Sequence, residues 1–434
     1  MADNLDHLAP IEALDGPEDR TAHLLDRIGS GDPIHLPGHP ERRAPLAEVT
    51  LPDTKLRAAR LAHADLSGAD LARAFLAQAD LTGAILERTD LSDADLSHAD
   101  LSAAQMGEVI LARALMEDAR LDDANLRFAD LREAVVEGAT LARADLWGAQ
   151  LEDADFTDAN LAQARIGEAF ACRADFTRAD LTGCTLVNTR LIDARFVEAD
   201  LRQANLKGAN LSGADLSGAR LQELDLSTCD LTGTRWRDTQ LDRTRLDVEQ
   251  LGGVIAEETA RDHAGAARSY AALERNFASL GEASAASWAY RRRRRMQKHV
   301  ALGQARACWS ERNYAQAAAH GQRYIADQLV ELVCDYGESV PRVAGALLSV
   351  YLFFLVIYGL TDSVSRRFGA DTAITHRPVD LAIFSLMAMT TSGTPSVGLM
   401  PSNPEALLLS GTQALLGIFL TGLLGFVAGN RIRR

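Results

Sequence analysis

Residues 61–100 read LAHADLSGADLARAFLAQADLTGAILERTDLSDADLSHAD, with Leu at every fifth position: Leu61, Leu66, Leu71, Leu76, Leu81, Leu86, Leu91 and Leu96. Followed outward, the row runs from Leu51 to Leu251 through 41 consecutive apolar positions, among them Met106, Phe156, Ile166, Phe176, Phe196 and Trp236, with Ala171 the one small member. Two residues before each stands Ala in most copies (Ala64, Ala69, Ala74, Ala79, Ala84), replaced by Thr89, Cys184, Thr189 or Cys229, and the residue just before the Leu is often Asp or Asn (Asp65, Asp70, Asn125, Asn160). A period of five keeps a residue on one face of neither a 3.6-residue helix nor a two-residue strand. A chain that turns a corner every five residues does keep it there. Four faces then close one coil, Leu fills the axis, Ala fits where the backbone turns inward, and Asp, Asn and Ser suit the corners. Coils stacked at about 4.8 Å make roughly ten layers.

Repeats of the form A(D/N)LXX, as in Ala64-Asp65-Leu66-Ser67-Gly68, resemble the pentapeptide-repeat family, which implies a right-handed quadrilateral β-helix over residues 46–254. Some members of that family resemble DNA in shape and charge and block type II topoisomerases. Two readings of the acidic surface stay open: DNA mimicry, or Asp as the ordinary corner residue of an inert scaffold.

The net charge of -15 is unevenly spread. Residues 1–50 contribute -6, residues 51–250 contribute -14, and residues 251–434 contribute +5. A nucleic-acid-binding role for the whole chain would need a basic surface, so none is expected. Residues 1–45, rich in Asp, Pro and His, read as an acidic, disordered arm that is locally helical near Arg20–Ile28. Five scattered cysteines, Cys172, Cys184, Cys229, Cys308 and Cys334, show no metal-ligand spacing and suit a reduced compartment. No cleaved secretory signal is expected at the start.

From Ile255 the period becomes helical, and residues 255–340 read as an α-helical linker. Ala264, Ala267, Tyr270, Leu273 and Phe277 fall on one face, Gly281 interrupts, and Asn313–Cys334 form a later helix. The run Arg291, Arg292, Arg293, Arg294, Arg295 leaves two options. It is either a solvated helix meeting the acidic solenoid, or a contact for anionic lipid head groups or a phosphate.

Val343–Leu360 and Ala406–Gly429 are two long runs without a single charge. Each is long enough to match the thickness of a bilayer, so residues 341–434 read as an all-α, two-transmembrane domain in an integral membrane protein. Arg342 before the first span and Arg431, Arg433 and Arg434 after the second place both termini and the solenoid in the cytosol. Asp380–Thr391 is apolar but too short to cross and ends in hydroxyl residues, Gly and Pro, which reads as a re-entrant pore helix. The segment Phe384-Ser385 followed by Met389-Thr390-Thr391-Ser392-Gly393 resembles the pore of two-transmembrane tetrameric potassium channels, and Cys334-Asp335-Tyr336-Gly337-Glu338 resembles the junction in bacterial proteins that fuse pentapeptide repeats to such a pore. The resemblance implies a homotetrameric ion channel of the bacterial inner membrane, bounded by lipid and permeated by inorganic ions, with the solenoid free for a cytosolic protein partner.

Its filter departs from the T-V-G-Y-G of that family. Thr394 and Pro395 stand where Tyr and the second Gly belong, and proline cannot adopt the conformations glycine allows. A pore lined by Thr390, Thr391, Ser392, Gly393, Thr394 and Pro395, with weak or non-potassium selectivity, is expected. Gln413 is expected to face the pore or another subunit, and Gly417, Gly422 and Gly425 to serve as a gating hinge or for close packing. No catalytic constellation, metal site or cofactor motif is present in the sequence, so no enzyme is expected.

Overall fold

A computed structural model describes residues 16–29, 36, 44–368, 371–390 and 398–433. The chain forms two compact units, Met1–Arg293 and Arg294–Arg434. The expected linker is therefore shared, residues 255–293 grouping with the solenoid and 294–340 with the spans.

The first unit is a parallel β-helix. Position 65 bridges positions 45 and 85, and the same one-coil step recurs from Pro45↔Asp65 to Asp225↔Arg245. The backbone is bonded to the coils on both sides: Leu66 N donates to Ile85 O at 2.8 Å and Asp65 N to Ala44 O at 2.9 Å. Each corner is closed by a turn such as Ala64 N to Leu61 O, 3.0 Å. The third residue of the turn lies in the left-handed region at every repeat from Glu48 to Glu223, as in His63 (φ 56°) and Phe128 (φ 58°), where a type II turn needs it. Few of these positions are glycine. The cost of the left-handed conformation, about 1–2 kcal/mol for an L-residue, is offset by the ladder bonds that each corner completes.

The Leu row is buried throughout, and Phe156, Phe176 and Phe196, each one coil above the last, stack at 5.2 and 5.1 Å with planes 9° apart. At several positions where Thr or Cys replaces the inward Ala, its polar atom donates to a carbonyl of the preceding coil. Thr89 Oγ1 donates to Leu66 O at 2.7 Å, Thr189 Oγ1 to Ile166 O at 2.8 Å, and Cys229 Sγ to Leu206 O at 3.1 Å.

An open β-helix presents unpaired strand edges at both ends, and here each is covered. Helix α1 (Pro17–Gly29) buries Leu24, Leu36 N donates to Arg60 O at 2.8 Å, and Thr50 N donates to Thr21 Oγ1 at 3.0 Å. Part of the expected acidic arm is thus a cap, because its amphipathic helix carries apolar residues the first coil can bury. Residues 1–15, 30–35 and 37–43 of the arm lie outside the described residues.

At the far end stand α2 (Ala256–Thr259) and α3 (His263–Leu280). Their side chains take the place of the next coil. Glu257 Oε1 accepts from Trp236 N at 2.7 Å, and Asn276 accepts from Thr244 N at 3.0 Å while donating to Thr244 O at 2.7 Å. Helix α4 (Ala283–Ser310) contains the boundary between the units.

The second unit continues through α5 (Tyr314–Cys334), α6 (Val340–Leu360), β1 (Val364–Phe368), β2 (Asp371–Ile374), α7 (Pro378–Thr390), β3 (Leu399–Pro401) and α8 (Pro404–Arg433). The strands form an antiparallel sheet in the order β2-β1-β3, with Ser365 opposite Ile374 and Met400. This sheet departs from the all-α expectation. It packs Val364 and Leu399 against Phe354, Tyr358, Leu381 and Phe384, which supplies the apolar cover the short strands lack alone. Two helices are long and apolar enough to cross a membrane, Val340–Leu360 and Pro404–Gly429, and only 17% of each is buried within the chain.

Candidate functional site

Helix α7 has 13 residues, about 20 Å at 1.5 Å per residue, too short to cross a bilayer. Its position is set at both ends and in the middle. At the start, buried Asp380 accepts from Arg366 Nη1 and Thr375 Oγ1, both at 2.8 Å. In the middle, Ser385, Gln413 and Tyr358 form a buried chain of hydrogen bonds. Gln413 Nε2 donates to Ser385 Oγ at 2.8 Å and to Ser385 O at 3.1 Å, and its Oε1 accepts from Tyr358 Oη at 2.9 Å. Gln413 is 0% exposed, so the expectation that it faces the pore or another subunit is corrected: its amide is spent on joining α6, α7 and α8 of its own chain. At the end, Gly417 of α8 lies against the last turn, where a Cβ would sit 2.1 Å from the Met389 carbonyl oxygen. This is the close-packing role. Gly422 and Gly425 have open space in the same place.

Thr390 ends α7, its hydroxyl turned back onto Leu386 O at 3.0 Å. The other expected filter residues, Thr391, Ser392, Gly393, Thr394 and Pro395, lie outside the described residues. What is described is the frame around them: a short helix held between two long apolar ones, with the chain returning at Gly398 into β3 and α8.

Four arginines of the run, Arg292–Arg295, are paired with carboxylates. Arg292 pairs with Glu258 at 2.8 Å and Arg293 with Glu274 at 2.8 Å, within the first unit. Arg294 pairs with Asp327 at 2.6 Å and Arg295 with Glu331 at 2.9 Å and Asp335 at 3.2 Å, within the second. Arg291 Nε donates to Ser287 O at 3.4 Å. The carboxylates that hold Arg292–Arg295 sit on the helical segments, not on the solenoid.

The solenoid's acidic residues are also largely committed. Asp before the Leu accepts the backbone N–H two residues on, as Asp65 does from Ser67 N at 3.1 Å and Asp155 from Thr157 N at 2.9 Å. A second set pairs with Arg one coil later: Arg73 with Asp53, Arg113 with Asp93, Arg143 with Asp123 and Arg173 with Asp153 each make two hydrogen bonds, those of Arg113 measuring 2.8 and 2.7 Å. The guanidinium of each holds its Asp carboxyl below the usual range. Sequence reading missed these ladders, although an Asp-to-Arg step of one full coil was visible once the coil length was assumed. It also missed Glu257, Asn276 and Tyr358, and the bond from Gln413 to Ser385, whose roles depend on which residues meet them. Among the described residues no cluster of His, Cys, Asp and Glu could hold a metal ion.

The family model for pentapeptide repeats matches in eight copies, over residues 51–88, 76–113, 119–158, 154–193 and 194–233. Among solved structures the chain is similar to HetL, a pentapeptide repeat protein involved in heterocyst differentiation regulation from Nostoc sp., at 30% identity, over 51% of this chain and 95% of that one, with a TM-score of 0.43. A pentapeptide repeat protein of the Arabidopsis thaliana thylakoid lumen shares 28% identity over 21% of this chain and 63% of its own, TM-score 0.21. Full-length QnrB1, a plasmid-mediated fluoroquinolone resistance protein, shares 21% identity over 49% and 96%, TM-score 0.19. No curated protein matches. Through the unbroken five-residue row, the four-cornered coils and the repeat matches of residues 51–233, the chain belongs to the pentapeptide-repeat family.

Proposed function

We propose that this protein is a membrane ion-channel subunit, four copies of which surround one pore for small monovalent ions, with weak or non-potassium selectivity. The observation that carries the reading is α7: an apolar helix too short to span, pinned between two long apolar helices by the Ser385–Gln413–Tyr358 chain. The long helices leave Leu348, Leu352, Phe353 and Val356 of α6 and Leu415, Ile418 and Phe419 of α8 uncovered, which supports burial against lipid and neighbouring subunits. Four re-entrant segments are needed to enclose an axis, hence the homotetramer. The arginines flanking the spans support a cytosolic solenoid and cytosolic termini, in a bacterial inner membrane. The solenoid organises assembly or receives a protein partner, and the chain acts without cofactor or catalytic step. Purified protein in planar bilayers bathed in mixed salts should show unitary conductance whose reversal potential changes when Thr391 or Gly393 is replaced. Absence of conductance in every salt would leave the membrane-anchored scaffold as the function.

A further inference from the structure

The reversal between α5 and α6 contains three successive left-handed residues: Asp335 at φ 48°, Tyr336 at φ 59° and Gly337 at φ 89°. Only the glycine is at ease there. Asp335 and Tyr336 are nevertheless buried, at 4% and 6% exposure, and both side chains are held from α4. Asp335 Oδ1 lies 3.2 Å from Arg295 Nη2 and 3.4 Å from Arg342 Nη1, and Arg342 Nη1 donates to Glu331 O at 2.9 Å. The Arg294 guanidinium stands 5.4 Å over the Tyr336 ring while pairing with Asp327 at 2.6 Å. Glu331 is gripped by Arg295 and by Lys298, the latter only 6% exposed. The turn so formed directly precedes the first apolar span. Cys334 beneath it packs with Val343 of α6 and with Val427 of α8.

Backbone strain persists only where the surroundings impose it. Here the imposing groups are four cations, Arg294, Arg295, Lys298 and Arg342, on three carboxylates, Asp327, Glu331 and Asp335. We propose that this reversal is a strain-loaded latch: the ion pairs hold Asp335 and Tyr336 left-handed, and their separation lets the turn relax and frees the start of α6 to shift against the end of α8. The second half of this statement, that the latch sets the conducting state, rests on the channel reading given above.

The amides of Glu338 and Ser339, bonded to Cys334 O at 3.1 and 3.0 Å, report on the latch directly. Hydrogen exchange is measured on the full-length protein in detergent, with the amides of residues 61–230 as the folding control. Arg295→Gln should speed exchange at Glu338 and Ser339 at least tenfold with the solenoid unchanged, and Lys298→Gln provides a second release should the first fail to fold. Adding Tyr336→Gly to Arg295→Gln removes what is left to relax, so the double variant should exchange more slowly than Arg295→Gln alone. A double variant that exchanges faster than either single one would overturn the latch, because a merely structural turn is loosened by both changes. In bilayers, Arg295→Gln should change open probability at unchanged unitary conductance. Unchanged open probability beside accelerated exchange would overturn the gating half. A silent wild type would overturn the channel reading and leave the exchange result to decide the latch.

Discussion

Gly417 shows how much one hydrogen atom can carry. Its backbone touches the last turn of α7 so closely that a methyl group would collide with the Met389 carbonyl, an atom that cannot move without displacing the helix end. Gly417→Ala should therefore lower the stability of the detergent-solubilised protein by about 1–3 kcal/mol, the ordinary range for overpacking. Gly425→Ala, with open space around it, should be neutral or gain up to about 1 kcal/mol from helix propensity. Thermal unfolding of both variants checks the contrast, and equal behaviour would remove Gly417 as a packing site. Gln413 makes the complementary point: a lone amide in an apolar span has to be spent, and Ser385 and Tyr358 take all of it.

Among the elements, the Asp–Arg ladders tie successive coils by charge as well as by backbone. Each rung is exposed, where water and salt screen the attraction, and so contributes little by itself. Their joint effect is on pH and salt. The folded carboxyls of Asp53, Asp93, Asp123 and Asp153 titrate below the unfolded value of about 3.9, so the solenoid gains stability that is fully present above that value. It is lost as pH falls through the lower folded values. Urea unfolding followed by circular dichroism should show stability falling below about pH 4 and less steeply in 1 M salt; a flat profile there would show the ladders to be idle. The Leu row was legible in the sequence because one residue type at one period suffices to reveal it. The ladders were not, since a rung becomes visible only when the coil length is known. The sheet β2-β1-β3 escaped too, its strands being too short to show alternation and owing their order to the apolar cluster beneath.

For the whole molecule, the sequence announced its parts more clearly than its seams. The solenoid and the two apolar helices follow from period and hydropathy, yet the division at Arg293–Arg294 falls inside one continuous helix. Which arginine pairs with which carboxylate depends on tertiary approach, and no spacing rule encodes it. Helix α7 illustrates the same limit from the other side, since its shortness and apolar character are visible in the sequence while the groups that hold it, Tyr358, Ser385 and Gln413, are dispersed over three helices.

The bridge step of one whole coil has a further consequence for how such a chain can change length. Removing five residues, for instance 161–165, leaves the Leu row unbroken, yet every residue after the cut moves a quarter turn onto the neighbouring face. Phe176 and Phe196 then no longer lie over Phe156 and Arg173 no longer lies over Asp153, while the last coil and its cap, both beyond the cut, turn together and keep their bonds. Removing a full coil, 161–180, preserves all four faces and costs only the layer itself. The first deletion should unfold at markedly lower urea than the second, despite being smaller, and the reverse order would show the faces to be interchangeable. A rod built this way grows and shrinks in whole coils, so its length is quantised while its side chains at the outer corners stay free to vary.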